Sequence, residues 1–110
     1  MRTDQDRLQD MLRAIDAILA REPSTSQSLA ENELERVWVL YHLQVIGEAA
    51  SRLTRGFRSQ HPDPDWANAI GLRNILVHHY FAIDPQKIFA VIKYNLRPLR
   101  AKIANLLTPP

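Results

Sequence analysis

The sequence predicts an all-α protein built as an antiparallel helix bundle, and three observations carry the prediction. Apolar residues recur at three- and four-residue spacing in four separate stretches of the chain. Glycine is scarce, with three residues in 110, and β-branched runs are short, so strand and turn signals are weak. Three of the four stretches open on a residue suited to capping a helix, namely Thr3, Asp65 and Asp84.

The first helix is expected over residues 4–21, where Leu8, Met11, Leu12, Ile15, Ile18 and Leu19 lie on one face. Thr3 supplies its N-cap, and Asp4 and Asp6 suit the positive end of the helix dipole. Glu22 to Ser26 reads as a linker, because Pro23 and small hydroxyl residues break the pattern. A long second helix is expected over 29–59. Its middle, Val37 to Leu53, is apolar on nearly all sides, so it is either central and buried or also forms a subunit interface.

His61-Pro62-Asp63-Pro64-Asp65 ends that helix in a turn, and Asp65 caps a third helix from Trp66 to Val77 or His78. Asp84-Pro85 starts the last helix, with the acid as cap and proline at the first helical position. Ile88, Val91, Ile92, Leu96, Leu99, Ile103 and Leu106 mark its apolar face, and Pro98 should kink or split it. The expected architecture is therefore a bundle of four helices, or five if Pro98 breaks the last. Residues 1–110 form one domain, with 106–110 a frayed tail.

Hydrophobic residues make up 45% and charged residues 24%, the balance of a globular chain. The absence of cysteine excludes a disulfide framework, thiolate chemistry and zinc–thiolate sites. Fourteen Lys plus Arg against twelve Asp plus Glu give a net charge of +2, too small by itself to indicate nucleic acid. The opening residues MRTDQDRLQD are too polar and acidic for a signal peptide. No apolar run approaches the ~20 residues of a membrane span. A cytoplasmic protein with no membrane partner is the expectation.

The chemistry-bearing residues concentrate on the third helix. Gly71, Asn74 and His78 form a small and polar stripe flanked by Ile70, Ile75 and Val77. Arg73 lies about 140° from His78 at ~100° per residue. To meet His78, the arginine must reach round the helix, the helix must loosen, or a second copy of the chain must supply one of the two. Taken singly, such a histidine or arginine is most often structural, and Glu48, in the apolar run Val45 to Ala50, is the natural buried partner for Arg73. Arg52, Arg55 and Arg58 recur every third residue, either as a basic stripe that follows an RNA backbone or as a solvated helix end. His78 and His79 are adjacent and point to different helix faces, and His42 and His61 lack carboxylate neighbours at ligand spacing. Neither a metal site nor a cofactor is expected.

Arg73, His78 and Tyr80 match the R-x4-H-x-Y motif, and the chain resembles the HepT-like HEPN proteins on that ground. The resemblance extends to Ile46-Gly47-Glu48-Ala49, Pro64-Asp65-Trp66, Gly71-Leu72-Arg73-Asn74 and Asp84, and so covers about residues 5–105. His79 departs from the pattern, since that position is often acidic or small. The loop after the first helix is short and rich in Ser and Thr.

The resemblance implies a metal-independent endoribonuclease acting on RNA (tRNA or mRNA) as a homodimer, with one composite cleft across the interface. It further implies the toxin of a type VII toxin–antitoxin pair, with Tyr80 adenylylated by a minimal nucleotidyltransferase antitoxin. Histidine, with an ordinary pKa of ~6.5, suits the proton transfers. Arginine, permanently charged and forked, suits the phosphate. On this reading His78 is the acid/base, Arg73 clamps the phosphate, and Asn74 orients His78 or binds the phosphate. Glu48 and His79 are supporting residues. Two other readings stand beside it. One is a catalytically silent subunit that binds a nucleotidyltransferase or a nucleotide. The other is a helical oligomerisation domain in which the Gly71, Asn74 and His78 stripe is buried.

Overall fold

A computed structural model gives the fold, and the residues described are 2–74 and 84–107. It is the all-α bundle the sequence predicts: no strand occurs among the described residues. Helix α1 (Asp4–Ala20) lies along α3 (Glu33–Ser51), which also packs against α5 (Trp66–Gly71). The short helix α2 (Ser26–Glu31) packs against α6 (Pro85–Ala90), and α1 against α7 (Arg97–Leu107). Leu8, Met11, Ile15 and Ile18 of α1 meet Leu40, Leu43 and Ile46 of α3 in the core, which Ile88, Ile92, Leu96 and Ile103 close from the C-terminal side.

The expected caps form. The Thr3 side chain accepts from the Asp6 amide at 3.1 Å, and the Thr3 amide donates to the Asp6 carboxylate at 2.9 Å, a reciprocal capping box. This hydrogen bonding to the ionised form holds the Asp6 carboxyl below its ordinary value. Asp65 accepts from the Asn68 amide and Asp84 from the Gln86 amide, with Pro85 in the first turn.

The expected long helix over 29–59 is instead three pieces: α2, α3 and α4 (Arg55–Gln60). A short polar residue caps each piece, and two of them, Asn32 and Thr54, make the breaks. Thr25 caps α2 by accepting from the Ser28 amide, so helix begins at Ser26 and the linker is shorter than expected. Asn32 turns extended and accepts from the Glu35 amide at 3.0 Å, which starts α3. Thr54 accepts from the Phe57 amide, while its own amide and hydroxyl each donate to the Asp4 carboxylate at 2.8 Å. Such side chains offer the backbone a partner outside the helix and therefore favour caps over helix interiors.

Pro98 does not split the last helix. The six residues Val91–Leu96 are wound as a π-helix, and α7 continues through Leu107. In an α-helix the proline ring would press on the carbonyl four residues earlier and leave it without a donor. The wider π turn immediately before Pro98 relieves that conflict. Leu106 and Leu107, expected to belong to a frayed tail, are helical and pack against the core. No helix among the described residues is long and apolar enough to cross a membrane.

Candidate functional site

Arg73 is placed by what precedes it. The Trp66 indole is buried, and its Nε1 donates to the His61 carbonyl at 2.8 Å, which pins the entry turn of α5. Asp65 holds the first turn through the Asn68 amide and through the Asn68 side chain at 2.7 Å. Buried Ala69 keeps α5 close in the core. At Leu72 the amide is shared between the Ala69 and Ile70 carbonyls, which ends α5 with a tightened turn, and Arg73 and Asn74 follow in helical conformation. Asn74 is exposed.

Gly47 brings the two elements together. A Cβ built on Gly47 would stand 2.4 Å from the Arg73 amide nitrogen and 2.8 Å from its Cβ. Only a residue without a side chain lets α3 approach the Arg73 backbone this closely. By contrast a Cβ at Gly71, the small residue of the predicted stripe, would meet nothing within 4 Å among the described residues. Sequence reasoning missed the part Gly47 plays. The available signal was a glycine in the middle of a buried helix, where it costs ~1 kcal/mol relative to alanine and so implies a packing reason.

The next residue on α3, Glu48, takes the Arg73 side chain. Arg73 Nη1 stands 3.6 Å from Glu48 Oε2, and Arg52 Nε donates to Glu48 Oε1 at 3.1 Å. The expected pairing of Arg73 with Glu48 is therefore present, but the expectation of a buried carboxylate is corrected. Side-chain exposure is 49% for Glu48 and 41% for Arg73, because Glu48 lies on the outward face of α3. An exposed pair of this kind contributes only about 0–1 kcal/mol to stability. At 3.6 Å the Arg73 contact is an ion pair, not a hydrogen bond, so it leaves the guanidinium donors available.

The expected Arg52, Arg55 and Arg58 stripe is not one helical stripe. Arg52 closes α3 as its C-cap and is drawn to Glu48, whereas Arg55 and Arg58 ride on α4 beyond the Thr54 cap. Arg58 Nε is buried without a hydrogen-bond partner among the described residues. His78, His79 and Tyr80 lie outside the described residues. His42 and His61 are engaged locally: His42 Nδ1 is 2.8 Å from the Trp38 carbonyl, and the His61 ring packs on Phe57.

Two surface features adjoin the cluster. Leu34, Val37 and Tyr41 are exposed large apolar residues on α3, with Leu34 84% and Tyr41 59% exposed. With Glu48 and Arg52 they follow one another at spacings of three, four, seven and four, a single seam down the helix. The central helix thus buries one face and presents an apolar seam on the other. A cleft of ≈ 310 Å³ between α1 and α3 meets the seam at Tyr41 and Glu48 and is otherwise lined by Arg7, Asp10, Gln44, Val45 and Ala49. A larger cleft of ≈ 540 Å³, between α5 and the π-helical segment, includes neither Arg73 nor Glu48. The charged cluster marks the candidate site better than the larger volume does, because it holds the arginine of the R-x4-H-x-Y motif.

The family described as Ribonuclease HepT-like matches residues 8–106. A protein of Methanocaldococcus jannaschii named as a candidate RNase is 33% identical over 72 residues, 66% of each chain. A protein of Thermococcus cleftensis named "Probable ribonuclease HepT" is 28% identical over 107 residues, 96% of each chain. One of Caldanaerobacter subterraneus, also named as a candidate RNase, is 27% identical over 109 residues, 97% of this chain and 96% of its own. No solved structure matches the chain.

Proposed function

Because the chain belongs to the HepT-like ribonuclease family, we propose that it is a metal-independent endoribonuclease and the toxin of a type VII toxin–antitoxin pair. One observation supports this above the others: the Arg73 backbone lies close against Gly47 and its head is met by Glu48, yet it stays half-exposed with donors to spare. A guanidinium held in this way suits a phosphodiester. In the reaction a base takes the 2′-OH proton, and the 2′-oxygen attacks the adjacent phosphorus. The bond from phosphorus to the 5′-oxygen then breaks, and an acid protonates that leaving oxygen. The products are a 2′,3′-cyclic phosphate and a 5′-OH. Arg73 stabilises the charge on the phosphoryl oxygens. His78 carries the proton transfers, a role that typically contributes ~10²–10⁴-fold in rate, and Asn74 orients it or binds the phosphate.

The working unit is a homodimer. The apolar seam of Leu34, Val37 and Tyr41, which runs into Glu48 and Arg52, supports a second copy packed on α3 with the two motifs facing one cleft. The antitoxin is a minimal nucleotidyltransferase that adenylylates Tyr80. An anionic nucleotide beside Arg73 would occupy the cleft and repel RNA phosphates.

The test is incubation of the purified chain with total RNA and tRNA in EDTA, beside Arg73→Ala and His78→Ala variants. Cleavage by the wild type alone, with cyclic-phosphate ends, is expected. Equal cleavage by all three proteins refutes the assignment. No cleavage by any, once mass spectrometry shows an unmodified Tyr80, indicates a silent subunit that binds a nucleotidyltransferase.

A further inference from the structure

Glu48 has a geometric position that the reaction scheme above leaves unused. Its two carboxylate oxygens face two different arginines, Arg52 Nε at 3.1 Å and Arg73 Nη1 at 3.6 Å. The contact to Arg52 is a hydrogen bond with i, i+4 helical spacing, so it fixes the carboxylate on α3 itself. The contact to Arg73 reaches from that fixed carboxylate to a neighbouring element whose backbone Gly47 has already drawn in. The backbone of Arg73 is therefore packed against one residue of α3, and its head is paired with the next. As an exposed pair it does little for stability, so its consequence lies in where the guanidinium points.

We propose that Glu48 is the positioning residue of Arg73 and that Arg52 holds Glu48 in place for it. The inference rests on the ribonuclease reading and deepens it. Glu48 touches neither substrate nor leaving group. It engages one Arg73 nitrogen and leaves the rest of the five-donor fork to a phosphate. A long arginine otherwise samples many rotamers, and restricting it before RNA arrives removes an ordering cost from the transition state. The carboxylate also separates two like charges, Arg52 and Arg73, that would repel if it were removed.

The experiment is single-turnover and steady-state cleavage of an RNA oligomer by the wild type, Glu48→Gln, Glu48→Ala, and Glu48→Ala in an Arg73→Lys background. With Glu48→Ala, kcat is expected to fall by about 10- to 100-fold with little change in KM, the scale of a misplaced catalytic group. Glu48→Gln, which keeps an acceptor, should recover part of the loss. In the Arg73→Lys background the same change should cost far less, because the group it positions is gone. Equal losses in both backgrounds overturn the inference. So does a lower KM at unchanged kcat, which would make Glu48 only a repulsive charge. If the wild type cleaves no RNA, the ribonuclease reading fails on its own, and if Arg73→Ala cleaves as well as the wild type, the catalytic assignment of Arg73 does. The side-chain Nε resonance of Arg73, assigned through the Arg73→Lys variant, then decides separately. It should be ordered in the wild type and averaged in Glu48→Ala, and no difference between them overturns the positioning role.

Discussion

Gly47→Ala places one methyl group at the point where α3 meets Arg73, and its effect follows from the distances. The new Cβ would lie 2.4 Å from the Arg73 nitrogen, 2.8 Å from its Cβ and 3.0 Å from its Cα. Carbon contacts are comfortable at about 3.5–4.0 Å, so the Arg73 backbone must withdraw by roughly 1 Å. The obstructing atoms are backbone and Cβ, which cannot swing aside. Overpacking of this kind costs about 1–3 kcal/mol, against which alanine regains about 1 kcal/mol of helix propensity over glycine. The net loss is about 0–2 kcal/mol, and at roughly 4–8 °C per kcal/mol for a small domain the midpoint falls by no more than ~15 °C. Cleavage should suffer more than stability, because a misplacement of ~1 Å can cost ~10²-fold in rate. The assays are thermal melting by circular dichroism and RNA cleavage under single-turnover conditions. Gly56→Ala and Gly71→Ala supply the control, since a Cβ at either meets nothing within 4 Å among the described residues. Both should melt at or above the wild-type temperature. A Gly47→Ala protein that melts and cleaves like the wild type refutes the close approach and the placement of Arg73 built on it.

If the proposed homodimer packs through the exposed seam of α3, Val37→Glu or Tyr41→Glu puts a charge into it and should convert that dimer to a monomer by light scattering. A wild type that is already monomeric, or a mass unchanged in both variants, would refute the proposed interface on this seam. The Asp6 carboxyl has a lowered folded pKa, so its contribution to stability is full above the ordinary value of 3.8 and is lost as pH falls through the lower folded value. Asp6→Asn should flatten that acid limb of the stability curve, and an unaltered limb would show that the capping box does not contribute to it. Leu43→Ala removes a fully buried side chain between α1 and α3 and should cost about 2–5 kcal/mol in denaturant unfolding. A loss below ~1 kcal/mol would mean that the site collapses around the cavity.

The helical fold was legible because it depends on local rules. Leu8, Met11, Ile15 and Ile18 announce a buried face by spacing alone, and Thr3, Asp65 and Asp84 announce helix starts by side-chain chemistry. The long second helix was misread because periodicity is blind to a cap that falls in register. Asn32 and Thr54 each break the helix without disturbing the apolar pattern around them. Thr54 is fixed by Asp4, fifty residues away, a partner no local window contains. Pro98 was recognised as a conflict, but its resolution as a π-helical turn rather than a break depends on Leu96 and Leu99 both packing into one continuous core.

At the candidate site the division is similar. The sequence by itself determined the all-helical class, the helix starts at Thr3, Asp65 and Asp84, the Arg73 to Tyr80 motif and Glu48 as a partner for Arg73, because each follows from residue type and short-range spacing. Only the tertiary structure decided that Gly47, not Gly71, is the close-approach glycine, that Glu48 meets Arg73 at the surface rather than in the core, and that Arg52 shares the same carboxylate. Those facts depend on how far apart two helices settle and how they are rotated. That distance and rotation are set by the summed volumes of side chains brought together from opposite ends of the chain, which no local pattern encodes.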